Sequence, residues 1–168
     1  FGFRLIPVKP EAALEFAIND FNTSVRNSRK EFTGGKEGVI RPNKSPEEVI
    51  ERFFVANRAL YNANVVMKNK IKSAETLGMN ETEIGKIFVD RGRKKNYRFI
   101  KEKQFNPYFP SKDIRKALAE IEAKTGQNFY SQSENTLLRM YEDFQGQRLD
   151  KPWNFKLEDY LPRPEPQS

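Results

Sequence analysis

The sequence predicts an all-α protein: an extended multi-helix assembly with one long central helix at about 45–77 and non-helical arms at both ends. Three observations point there. Apolar residues recur at alternating three- and four-residue steps, the spacing of one helix face. Start and stop signals for helices stand in pairs along the chain. No run of alternating apolar and polar residues reads as a strand.

Residues 1–8 read as an extended arm. Pro10 suits a first helical turn, where its missing N–H is not needed. A short helix follows over 10–20 and a second over 22–32. Thr33-Gly34-Gly35 ends it, and 33–44 is a loop. Ser45 then caps the long helix, Pro46 fits its first position, and Glu48 completes a capping box. The stripe Ile50, Phe53, Asn57, Leu60, Asn64, Met67, Ile71 and Ala74 runs to Leu77, and Gly78 is placed to stop the helix in the left-handed region. Asn80 and Glu83 open another helix, which Gly92 interrupts; 93–103 continues as helix or loop. Two prolines keep 104–110 out of helix. Ser111 caps a helix ending before Gly126, and Ser131 with Glu134 opens one ending at Gly146. The domain plan is an arm at 1–8, a helical domain at 9–146 and a Pro-rich extended tail at 147–168.

Composition narrows the function classes. The hydrophobic fraction is 37 %, and the mean hydropathy is −0.80. Both predict a thin core that leans on partners. With no Cys and no His, the chain has no disulfide and lacks the commonest general base and metal ligand. No catalytic residue, cofactor, metal site or small-molecule substrate is nominated. No apolar run approaches a membrane span, and no signal peptide is visible. The first residue is Phe1, not Met, so a fragment of a longer polypeptide is expected.

The net charge is +7, and residues 86–103 hold eight bases against two acids. Arg91, Arg93, Lys94, Lys95, Arg98, Lys101 and Lys103 are therefore candidates to grip a nucleic-acid backbone. Tyr97 and Phe99 interleave and offer stacking faces if the strand is single. No base-reading motif accompanies them, so contact with DNA would be sequence-tolerant. The plainer reading is a solvated charge run.

A partner interface has three candidate parts. Asn57 and Asn64 share the apolar stripe of the long helix, where a buried polar residue can set partner number; otherwise the stripe rotates and both face water. Phe105, Tyr108 and Phe109 crowd one short loop, as a docking knob or, the favoured reading, as lids on the long helix. Trp153, Phe155 and Tyr160 alternate with polar residues among prolines, as an arm laid on another surface or a frayed end.

The stretches FNTSVRNSRKEFTGG, SPEEVIERFFVANRALYNA and FNPYFPSKDIRKAL together resemble segments of very large, helix-rich proteins of tailed bacteriophages, the large polyvalent or internal virion proteins. The resemblance covers about residues 15–120, and its most specific part is Asn106-Pro107-Tyr108-Phe109-Pro110-Ser111-Lys112-Asp113. No catalytic residue transfers with it. It implies a piece of a giant chain held in a virion, docked on other viral proteins or copies of itself, and near DNA. Two other functions stay open. One is a sequence-tolerant nucleic-acid-binding module of a replication or transcription protein. The other is a fragment of a peptidoglycan-cleaving virion enzyme, for which Glu134 is the only acid to test, although Ser133-Glu134-Asn135 reads as a helix cap.

Overall fold

The computed structural model describes residues 9–33, 45–92, 94–125 and 130–160. The expected arm at 1–8, the loop at 34–44, Arg93 and the last eight residues lie outside these. So do the side chains of Lys94, Lys95, Phe99 and Glu134. The described chain is mostly helical. Its elements are α1 (Pro10–Thr33), α2 (Pro46–Thr76), α3 (Glu81–Asp90), α4 (Lys94–Lys101), α5 (Ser111–Thr125) and α6 (Tyr130–Phe144). A 3₁₀ turn, Leu157–Asp159, follows. One isolated antiparallel bridge, Gln104 to Arg148, is the sole β pairing among the described residues.

The signals for α2 and α3 act as local chemistry requires. Ser45 Oγ accepts the Glu48 N–H at 3.2 Å. Asn80 and Glu83 form a reciprocal capping box, which satisfies two otherwise orphaned donors. Gly78 (φ 98°) and Gly92 (φ 72°) sit in the left-handed region where a Cβ is strained, so α2 and α3 stop beside them.

The first long stretch corrects the two-helix expectation. Residues 10–33 form a single helix of 24 residues. Asp20, Asn22 and Thr23 are weak helix formers and suggest a break. Burial decides otherwise. Leu14, Ile18, Phe21, Val25 and Phe32 keep one face continuous, and all five are buried. Thr23 Oγ1 also donates back to the Asn19 carbonyl at 3.0 Å, which keeps its hydroxyl from competing with the helix. The long helix α2 therefore has a long neighbour and does not stand as the single long element.

Packing then follows the two faces of α2. Leu14, Ile18 and Phe21 join Met67, Ile71 and Ala74 with Ile84, Phe88 and Ile100 of α3 and α4. Phe32 joins Val49, Ile50 and Phe53 with Ile114 and Leu118 of α5 and Leu137, Met140 and Phe144 of α6. The start of α1 thus meets the end of α2, and the two helices run antiparallel. Tyr108 and Trp153 pack against both clusters. The core is broader than the composition predicts, because aromatic rings supply its area.

The boundary expected at residue 146 is also corrected. Leu149 and Tyr160 are buried within this chain. The segment 147–160 is extended for most of its length but belongs to the core. Its rings have apolar neighbours at hand on α2 and α6, and leaving them in water costs more than ordering the segment.

Candidate functional site

Three surfaces carry the candidate residues. The first is the end of α2 that meets the loop at 104–110. Asn57 is 0 % exposed. Its Nδ2 donates to the Phe53 carbonyl at 3.1 Å and to the Tyr108 carbonyl at 3.0 Å. Its Oδ1 accepts the Tyr108 N–H at 3.0 Å. An amide offers a donor and an acceptor together, so Asn57 clamps a non-helical strand of chain as another peptide would. Asn64 is buried two turns further and donates to the Leu60 carbonyl at 2.7 Å. Both Asn therefore act inside the fold, contrary to an intermolecular register role and contrary to the solvent-facing alternative.

The aromatic candidates also turn inward. Phe105 is buried against Tyr61, with ring centroids 5.4 Å apart. Phe109 meets Phe53 edge-on at 5.2 Å, and Tyr108 meets Phe32 at 5.8 Å. Phe144 of α6 is the hub of the tail contacts. Trp153 and Phe155 lie 5.0 Å from it, and Tyr160 lies 6.0 Å away. The Tyr160 hydroxyl donates to Asp143 Oδ2 at 2.8 Å. Burial first, then this bond to a carboxylate, push the phenol far above its ordinary value. These six aromatics pack on this chain's own core.

The second surface is the basic run. Arg91 caps the end of α3 and turns back to α1, 3.5 Å from Glu15, with a 3.4 Å bond to Asn19. Lys101 at the end of α4 pairs with Glu81, and that carboxylate raises the lysine above its ordinary value. Two of the nominated cations are thus balanced by acids of the same fold. Arg98 is exposed and Lys103 half-buried, and no described residue pairs with either side chain. Tyr97 lies 4.9 Å from Phe88, so its ring is part of the core and is not offered to a base. The backbone of Lys94 and Lys95 opens α4, while Arg93 lies outside the described residues.

The third surface was not legible in the sequence. A groove of about 650 Å³ runs between α1 and α2, lined by Ala17, Phe21, Ser24, Ala59, Ala63 and Val66 among others. Val66 is exposed on its wall, and Phe16 is 66 % exposed beside it. Small residues on facing turns leave the two helices short of filling the space between them. The spacing of Ala59 and Ala63 on α2 was a signal, but it is also the spacing of ordinary helix surface.

Lys68 was missed as well. It lies on α2 and is only 5 % exposed. Among the described residues no group of three or more acidic side chains gathers as a metal site. No described helix is long and apolar enough to cross a membrane. Neither a protein-family model, nor a curated protein, nor a solved structure matches this chain.

Proposed function

We propose that the chain is a structural and interaction component that pairs with a second copy of itself through the α1–α2 face. The observation that carries this is the pairing of a knob with a hole on one face. Phe16 and Val66 project, and the alanine-walled groove lies next to them. Phe16 and Asp20 are one helical turn apart, and Asp20 lines the groove. A face with both features is self-complementary, so two copies related by a two-fold axis place each Phe16 in the other's groove. Two antiparallel helix pairs then make a four-helix layer. The resemblance to internal virion proteins supplies the setting, a viral particle in which such a piece docks on its neighbours. Sequence-tolerant contact with a DNA backbone is the second reading, supported by Arg98 and Lys103.

Sedimentation equilibrium of the purified chain tests the pairing. A monomer–dimer equilibrium is expected, with Phe16→Asp and Ala63→Glu both giving monomers that keep the wild-type far-UV spectrum. A wild-type chain that stays monomeric up to millimolar concentration rules out the pairing.

A further inference from the structure

A second cleft, of about 380 Å³, opens between α2 and the segment 149–153. That volume falls within the range of small-ligand sites, roughly 300–1,000 Å³. Arg58, Tyr61, Asn62 and Val65 form one wall. They stand at three- and four-residue spacings on α2 and so share one face of the helix. Lys151 and Trp153 stand on the other wall.

The second wall is fixed by the fold itself. The Tyr61 hydroxyl donates to the Arg148 carbonyl at 2.8 Å and is shared with the Lys151 carbonyl. Leu149 is buried, and its N–H donates to the Lys103 carbonyl at 3.0 Å. Pro152 locks its own φ between Lys151 and Trp153. A wall held in this way loses little freedom on binding, which leaves more of the contact energy for affinity.

The two walls bring complementary chemistries together. Arg58 and Lys151 are exposed cations on opposite sides of the cleft. Asp150 is the one acid among the described lining residues, and Arg148 pairs with it at 3.7 Å. The cleft therefore keeps an excess of positive charge. Trp153 is half-buried. Its ring packs on Tyr61 at 5.5 Å and on Phe144 at 5.0 Å, and it lines the cleft with the surface these contacts leave. Asn62 adds an amide, which offers a donor and an acceptor. A guanidinium fork and an ammonium suit a phosphate, and an indole ring suits a base.

We propose that this cleft binds a nucleotide unit, with its phosphate between Arg58 and Lys151 and its base against Trp153. A free mononucleotide and one unit of a single strand share that chemistry. A duplex does not, because its bases stay inside the stack. The lining includes neither Arg98 nor Lys103, and the site lies on α2 and the 149–153 segment of one chain. It therefore rests on neither reading of the function above.

Trp153 is the only tryptophan, so its fluorescence reports on the site directly. The whole chain is titrated with thymidine monophosphate and, separately, with a short single-stranded oligothymidylate, at matched ionic strength. A base stacked on Trp153 is expected to quench its emission. Arg58→Gln and Lys151→Gln each remove one exposed cation. Each is expected to weaken binding about tenfold, as loss of a hydrogen bond to a charged group does. Lys86→Gln, on α3 and outside the lining, is expected to leave the titration unchanged. Quenching by thymidine monophosphate assigns the cleft to a free nucleotide, and quenching by the oligothymidylate alone assigns it to a strand. The proposal is overturned if neither probe quenches Trp153, if either cleft variant keeps the wild-type affinity, or if Lys86→Gln weakens binding as much as they do.

Discussion

Asn57→Ala tests the clamp that joins α2 to the loop at 104–110. The substitution removes both bonds to Tyr108 and leaves its N–H and carbonyl without their partner. An unpaired buried group costs about 1–3 kcal/mol. Tyr108 is only half-buried, so water recovers part of that. The expected loss is about 2–3 kcal/mol in total, with a small further term for the volume removed. Domains of this kind hold about 5–15 kcal/mol, so the variant folds but melts earlier. Urea unfolding followed by far-UV circular dichroism measures it, with an unchanged slope expected. Asn57→Asp sharpens the test. It keeps the acceptor for the Tyr108 N–H but turns a second oxygen toward two carbonyls. Burial and those carbonyls raise the folded carboxyl above its unfolded value of about 3.9. Stability is then fully present below the unfolded value and falls as pH rises through the folded one. Asp at 57 is expected to be less damaging in acid than at neutral pH, relative to wild type. An Asn57→Ala protein within about 0.5 kcal/mol of wild type refutes the reasoning, since surface changes alone give that much.

Phe144 is 0 % exposed and touches five other aromatic rings. Phe144→Ala is expected to cost about 3–5 kcal/mol and to shift the emission of Trp153, the only tryptophan, to the red. Alkaline pH is expected to unfold the protein through its phenols. Burial raises Tyr160, Tyr61 and Tyr97 above the ordinary value of 10.0. A group raised on folding stabilises below its unfolded value and loses that contribution as pH climbs through the folded one. Lys68 is shifted downward and acts in the opposite sense, but three phenols oppose it. Urea midpoints should fall above pH 10, and Tyr160→Phe should flatten that fall while costing about 1 kcal/mol at neutral pH.

Much of the helical plan was legible because its signals are local. Ser45 and Pro46, Asn80 and Glu83, and the glycines at 78 and 92 each act within one or two turns of themselves. The break expected inside α1 failed because Asn22 and Thr23 state a weak local preference, while the burial of Phe21 and Val25 on α2 outweighs it. The role of Asn57 was out of reach for a different reason. Its partner is 51 positions away in sequence, and no periodicity encodes a meeting between a helix side chain and a distant loop backbone. The tail rings were read as a docked arm, but the surface beneath them belongs to the same chain. Lys68 was hidden in plain repetition: Lys68, Lys70 and Lys72 look like a solvated face. Only burial singles Lys68 out of the three.

Trp153 touches both halves of the interior, and Leu149 and Tyr160 belong to one half each. All three emerge from the ribosome after α1 to α6 have been made. Chains generally begin to fold from the leading end during synthesis. Here α1 and α2 emerge early but lack the rings that seal them. A nascent chain stalled before residue 149 therefore presents open aromatic seams to chaperones. Acquisition of protease resistance should then come late and nearly all at once, when residues 149–160 have cleared the ribosome.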